Sequence, residues 1–194
     1  PYMRLLGVIV AGGRASRMGF DKIFATVGGK TILERTIAAL APQVDLLVIN
    51  ANEGGTRFAA TGLAVIADEA PGLATPLAGI HAGLRHASAH GFDAVLTVPA
   101  DCPFLPADLA KRLAPGPAIA ASGSETHFLT GLWPMGLLGS LEAAIAGGLS
   151  RVKDWAARCQ ARPVPWPSLP FDPFLNLNTP GDLAEAERIA RRED

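Results

Sequence analysis

Arg14, Arg17 and Lys22 follow directly on two adjacent glycines, Gly12 and Gly13, with Asp21 the one acid among them. Before them runs Leu5 to Val10, a continuous apolar stretch rich in β-branched residues, which predicts a strand buried on both faces. Glycines let a backbone turn tightly and bring its N–H groups against a ligand, and fixed cations neutralise the several charges of a polyphosphate. The stretch therefore predicts a nucleotide-phosphate loop. It is neither of the two common ones: G-x-G-x-x-G is absent, and the P-loop pattern fails because Phe20 and Asp21 follow Gly19. The competing reading is a tight strand-to-helix turn whose arginines are merely solvated.

The run AGG-R-x-x-RMG-x-DK resembles the signature loop of the nucleotidyltransferases with a nucleotide-diphosphosugar transferase fold, in particular the molybdenum cofactor guanylyltransferase family. Asn50-Ala51-Asn52, Pro76 to Gly79 and Asn176-Leu177-Asn178-Thr179-Pro180 agree in order and spacing across nearly the whole chain. The resemblance implies transfer of GMP from GTP to molybdenum-loaded molybdopterin, with release of pyrophosphate. It implies Lys22, Arg17 and Asp101 as catalytic residues, and Val10, Ala11, Gly12, Gly13, Lys22, Asn50, Asp68 and Asp101 as nucleotide contacts. Asn176, Asn178 and Thr179 would hold the pterin substrate. Asp101, in Pro99-Ala100-Asp101-Cys102-Pro103, is the expected Mg²⁺ ligand, since Mg²⁺ keeps several waters and takes only one or two carboxylates beside substrate phosphates. The alternatives are plainer: Asp101 capping its own turn, Asn50 and Asp68 capping strand ends, and Thr179-Pro180 serving only as a helix entry. Where the family often has His-Pro and Gly-Pro, this chain has His127-Phe128 and Thr75-Pro76, so contacts there and at Arg151 stay open.

Strand and helix signals alternate, which predicts an α/β fold: a three-layer, Rossmann-like, open and mostly parallel sheet with helices on both faces. After the first loop, Thr31 and Glu34 form a capping box for a helix carrying Leu33, Ile37 and Leu40 and ended by Pro42. Asp45 to Asn50, Leu63 to Ala67 and Ala94 to Val98 read as strands, with a helix from Pro76 to His90 closed by Gly91. The strand tips after Val10, Ile49, Ala67 and Val98 should converge on one crevice. Further on, Pro106 suits the first turn of a short helix, and strands are predicted at Pro117 to Ala121 and Thr126 to Trp133. A helix from Met135 to Ala146, one capped by Ser150, an edge strand at Arg162 to Trp166 and a final helix opened by Thr179 complete the pattern. His86 and His90 are spaced like two metal ligands, but histidine is also favoured in a helix's last turns, which is the preferred reading. Trp133, Trp155 and Trp166 are scattered and read as core or rim.

With 194 residues the chain fits one domain, and the resemblance implies a single nucleotidyltransferase domain whose first half binds the nucleotide and whose second half binds the cofactor substrate. The 17 basic and 18 acidic residues give a net charge of -1, so no global field would hold DNA or RNA, and any anion site must be local. Two cysteines, Cys102 and Cys159, form no disulfide framework and suit a reducing cytoplasm. No apolar run approaches the roughly 18 residues of a membrane span, and no leader pattern opens the chain, so neither membrane insertion nor export is expected. The resemblance also implies transient contact with molybdenum-insertion proteins and acceptor apoenzymes. Two alternatives stand beside it. One is a related enzyme, a cytidylyltransferase for the same cofactor or a sugar-phosphate nucleotidyltransferase; Ala11-Gly12-Gly13, where the cytidylyl branch usually has Ala-Ala-Gly, favours guanine. The other is a non-catalytic nucleotide- or cofactor-binding adaptor.

Overall fold

The computed structural model describes residues 2–12, 22–53 and 55–192. Of the phosphate-loop residues, Gly13, Arg14, Arg17 and Asp21 lie outside the described residues.

β1 (Leu5–Val10) is buried at every position, as its unbroken apolar run requires. It lies between β4 (Leu46–Asn50) and β6 (Ala94–Pro99), both parallel to it, and β5 (Ala64–Ile66) extends the same parallel set beyond β4. On the other side of β6 come β8 (Glu125–Pro134), β7 (Ala118–Ser122) and the edge strand β9 (Arg162–Trp166), giving the order β5-β4-β1-β6-β8-β7-β9. β8 pairs antiparallel with both of its neighbours, whereas β9 is parallel to β7, so within this sheet only β8 runs against the rest. The expected mostly parallel sheet is therefore present with one reversed strand. That reversal puts the amino end of β8 at the edge where the other strands end.

Helices cover both faces. α2 (Leu77–His90) lays Leu77, Ile80, Leu84 and Ala87 on Leu6, Val8 and Val10, where Trp133 and Trp155 also pack. The opposite face, Leu5, Ile9 and Ile49, is covered by Leu33 and Leu40 of α1 (Ile32–Leu40) and by Leu109 and Leu113 of α3 (Leu109–Leu113). A third cluster joins a hairpin that the sequence did not suggest, β2 (Thr26–Val27) with β3 (Lys30–Thr31), to α6 (Pro180–Ala190): Val27 and Ile32 meet Ala186, Ile189 and Ala190.

The caps explain several boundaries. Thr31 and Glu34 make both bonds of the expected capping box, and Gly91 closes α2 in the left-handed conformation at φ 71°. Two expectations fail. Ser150 does not cap α5 (Val152–Arg158), which starts at Arg151 without a side-chain cap; the Ser150 carbonyl instead accepts from the Thr75 hydroxyl. Pro106 belongs to a turn before α3 rather than to its first helical turn, and its carbonyl accepts from Leu109 N. Past β8 the chain forms a 3-10 turn, Met135–Leu137, before α4 (Leu138–Ala146) begins.

α2 can lie this close to β1 only because Gly79 and Gly83 face the sheet. A Cβ on Gly79 would sit 2.8 Å from Val10 Cγ1 and 2.7 Å from Asn50 Oδ1; on Gly83 it would sit 3.0 Å from Val8 Cγ2. Gly79→Ala should therefore overpack the α2–β1 contact by about 1–3 kcal/mol. Thermal unfolding should show a melting point lower by several degrees, and a larger fall than for Gly83→Ala.

Candidate active site

The sheet register brings the predicted tips into line. Val10 pairs with Asn50 on one side and Pro99 on the other, and Asn50 pairs with Ile66. One residue further, Ala11 N donates to Asn50 O at 2.9 Å, Ala51 N to Ile66 O at 3.0 Å and Ala100 N to Val10 O at 3.2 Å, so the four strands leave the sheet at one level. The chain passes from β1 to β4 and β5 on one side and returns to β6 on the other. The gap between the tips of β1 and β6 is thus the topological switch point where open α/β sheets take their ligands.

Asn50 and Asp68 meet beside that gap. Asn50 is buried, its Nδ2 donating to Asp68 Oδ1 at 2.9 Å and to Ile66 O at 3.2 Å, while Asn52 Nδ2 holds the other oxygen, Asp68 Oδ2, at 2.9 Å. The amide oxygen of Asn50 faces Gly12 and Gly79, and a Cβ on Gly12 would lie 3.6 Å from it. A Cβ on Gly79 would lie only 2.7 Å from the same oxygen, so on that side the α2 backbone packs directly against the fixed amide.

Across the gap, Lys22 Nζ donates to Asp101 Oδ2 at 3.0 Å and to Asn178 Oδ1 at 3.0 Å. Three remote segments thus share one ammonium. Asp101 is held from behind by two residues that sequence reasoning did not select. The buried Thr36 hydroxyl of α1 lies 3.0 Å from Ile32 O of its own helix, 3.2 Å from Cys102 O and 3.3 Å from Ala100 O, the last two flanking Asp101, and the Cys102 thiol donates to Asn176 Oδ1 at 2.9 Å. Asn178 is set by the start of α6, where Asp182 Oδ2 accepts from Asn178 N at 2.9 Å and Thr179 N at 2.8 Å; those N–H groups hold the Asp182 carboxyl below its usual range. The Thr179 hydroxyl accepts from Asp182 N at 3.1 Å, so it is engaged in the cap. Of the predicted set, then, Lys22, Asp101 and Asn178 are in contact, Asn176 is one link away through Cys102, and Asn50 with Asp68 lies on the other side of β1.

Beside Asp101 a cleft of about 540 Å³ opens below the β7–β8 turn, lined by Asp101, Asn176, Asn178, His127, Asp172 and Phe174 among others. This arrangement, a lysine and a carboxylate at a switch point next to a substrate-sized cleft, is suited to phosphoryl chemistry run by charge neutralisation and alignment.

Comparison with known proteins agrees. Residues 7–161 match the family described as the MobA-like NTP transferase domain. The chain belongs to this family. A molybdenum cofactor guanylyltransferase of Bradyrhizobium sp. is 46% identical over 97% of this chain and 94% of its own, and one from Rhodopseudomonas palustris is 47% identical over 96% and 94%. Molybdopterin-guanine dinucleotide biosynthesis protein A of Archaeoglobus fulgidus shares the fold, with a TM-score of 0.70 at 24% identity, covering 97% of this chain and 99% of that one. MobA-like transferases are nucleotidyltransferase enzymes, which sets aside a non-catalytic adaptor, and the relatives' names favour the guanylyl branch over the cytidylyl one.

Other flagged residues have structural places. His86 and His90 stack at 4.1 Å, His90 Nδ1 bonds to His86 O, and no cluster of three or more metal-ligating side chains occurs among the described residues. Trp133 and Trp155 are fully buried and Trp166 nearly so. No helix among the described residues is long and apolar enough to cross a membrane. Both cysteines are free thiols, and burial raises both pKa values, Cys102 well above its ordinary range and Cys159 less. Iodoacetamide on the native protein should therefore modify Cys159 ahead of Cys102, with peptide mass spectrometry reporting the order; equal rates would mean that the Asp101 turn opens readily.

Proposed function

We propose that this chain transfers GMP from GTP to molybdenum-loaded molybdopterin. A phosphate oxygen of the acceptor forms the new bond to the α-phosphorus, the bond from that phosphorus to the β-phosphate bridging oxygen breaks, and pyrophosphate leaves with the electron pair. The observation that carries the reading is the contact of Lys22 with Asp101 at the switch point, in a chain of this family. Since the nucleophile is already an anion, no general base is needed, and the site's work is to orient and to neutralise.

Asn50 and Asp68, tied to each other at 2.9 Å, would receive base and sugar, because an amide and a carboxylate match guanine's mixed donors and acceptors. Val10, Ala11, Gly12 and Gly13 would present backbone to the triphosphate, with Lys22 and Arg17 stabilising charge on the departing pyrophosphate. Asn176 and Asn178, which line the cleft, would contact the acceptor, with Thr179, its hydroxyl held in the α6 cap, beside them. A divalent cation fits: Asp101, just past the tip of β6, lines the cleft, and Mg²⁺ is usually held by one or two carboxylates beside substrate phosphates. Asp101 would hold it, and when bound it would act as a Lewis acid toward the phosphate oxygens. Transient contacts with molybdenum-insertion proteins and acceptor apoenzymes, and a cytoplasmic place of action, belong to the same reading.

The direct test supplies molybdenum-loaded molybdopterin, Mg²⁺ and each nucleoside triphosphate in turn, and identifies the dinucleotide by mass. GTP should be the preferred donor; a preference for CTP, or a sugar phosphate as the sole acceptor, would replace the reading. Asp101→Ala should lower turnover about 10²-fold or more, with a smaller effect on GTP affinity, because the interaction lost is one that strengthens in the transition state. Lys22→Ala should also cut turnover. A well-folded Asp101→Ala protein with full activity would remove Asp101 from the metal site.

A further inference from the structure

A second polar device lies in the same cleft, away from Lys22, and sequence reasoning singled out only one of its members. Ser122, at the end of β7, is buried, and its hydroxyl is 2.8 and 2.9 Å from the two oxygens of Asp172 and 2.7 Å from His127 Nε2. Asp172 is itself oriented by Phe174 N, which donates to its Oδ1 at 2.9 Å. A serine has one proton to give. A carboxylate can only accept, so that proton goes to Asp172, and the Ser122 oxygen must then accept from His127 Nε2–H. The relay fixes the tautomer: in the neutral ring Nδ1 carries the lone pair.

That Nδ1 makes no hydrogen bond to any described residue, and, in contrast to Nδ1 of His81, it is not sealed from solvent. His127 lines the cleft, with its ring 4.8 Å from that of Phe174. The same cleft carries the carboxylates of Asp101, Glu125 and Asp172, and no lysine or arginine is among its described lining residues. An anionic phosphate is poorly served at this end. A flat heteroaromatic ring with N–H donors on its edge is well served: it finds aromatic faces to lie against and acceptors to meet its hydrogens.

Resting on the guanylyl-transfer reading for the identity of the acceptor, we propose that the Asp172–Ser122–His127 relay presents His127 Nδ1 as a hydrogen-bond acceptor to an N–H of the acceptor's pterin ring. The pterin then lies below the β7–β8 turn, and the acceptor's phosphate points toward Lys22 and Asp101. His127 is a specificity residue that touches the acceptor, and Ser122 and Asp172 are positioning residues acting through it. Protonation would turn Nδ1 into a donor and lose the contact. Burial lowers the His127 pKa, against the opposing pull of Asp172, reached through Ser122, and of Glu125 on the same strand, so the accepting form prevails at neutral pH.

The test measures binding of metal-free molybdopterin, handled anaerobically and without GTP, by equilibrium dialysis. H127Q keeps an amide able to donate to Ser122 but loses the acceptor at Nδ1, and should bind about tenfold more weakly, the size of one well-placed hydrogen bond. H127N puts an amide oxygen close to the place of Nδ1 and should stay within about threefold of the parent. Affinity of the parent should fall as pH drops through the His127 pKa, below 6.5, and that dependence should vanish in H127Q, while GTP affinity stays constant in both variants. H127Q binding as tightly as the parent, or an unchanged pH profile in H127Q, overturns the relay and leaves guanylyl transfer standing. A parent that binds molybdopterin but forms no dinucleotide with any nucleotide loses guanylyl transfer and keeps the relay, and a parent that does not bind molybdopterin overturns the relay.

Discussion

One ammonium, that of Lys22, is shared between a carboxylate at the tip of β6 and an amide just before α6, and much of the architecture serves to bring those two groups to it. Asp101 would have little reason to face a lysine unless its turn were pinned. The Cys102–Asn176 bond ties it, and the buried Thr36 hydroxyl packs against the carbonyls on either side of it. Asn178 is pinned differently, by the capping box that starts α6 and by that helix's apolar contact with the β2–β3 hairpin. A charge pair at a partly exposed site contributes little to stability. Its value here is positional, since lysine and carboxylate stand where a polyphosphate would need both.

The sheet divides its labour. Parallel strands on the β5-β4-β1-β6 side leave the sheet at one level because ladders between each pair of neighbours lock their register, and this suits a nucleotide gripped by several tips at once. On the β8-β7 side the reversal of β8 forms a tight hairpin at the same edge, so Ser122 and His127, close in sequence, are brought together by a turn rather than by a crossover. The acceptor side is thus built locally and the nucleotide side globally.

Much of this was legible in the sequence because the signals were local and physical. The unbroken apolar run of β1, the Thr31–Glu34 and Thr179 caps, the Gly91 terminator and the prolines of β9 each predicted an element that the structure contains. Asp101 and Lys22 were found by motif, and the fold brings them together. What stayed hidden depends on tertiary placement. Thr36 reads as an ordinary helix residue until its hydroxyl is seen against the Asp101 turn, and Asp172 reads as part of a proline-rich linker until Ser122 is beside it. Gly79 and Gly83 are unremarkable in a helix until the distance to β1 is known. Ser150 misled because a serine before a helix looks like a cap even when the backbone starts the helix one residue later.

The docking of α6 on the β2–β3 hairpin has a consequence for the order of synthesis. Lys22 and its hairpin are made early on the ribosome, yet the apolar surface of Val27, Ile32 and Phe104 is covered largely by Phe171, Leu177, Ala186, Ile189 and Ala190, which are translated last. Until then the nascent chain carries an uncovered greasy patch and a lysine that still lacks its amide partner, although the ladders joining β1, β4 and β6 are ready to form. Chains with such late long-range contacts fold through partly assembled states. Premature termination soon after α5 would thus release a product with most of its sheet and none of this cover, the kind of molecule that chaperones and proteases are quick to recognise.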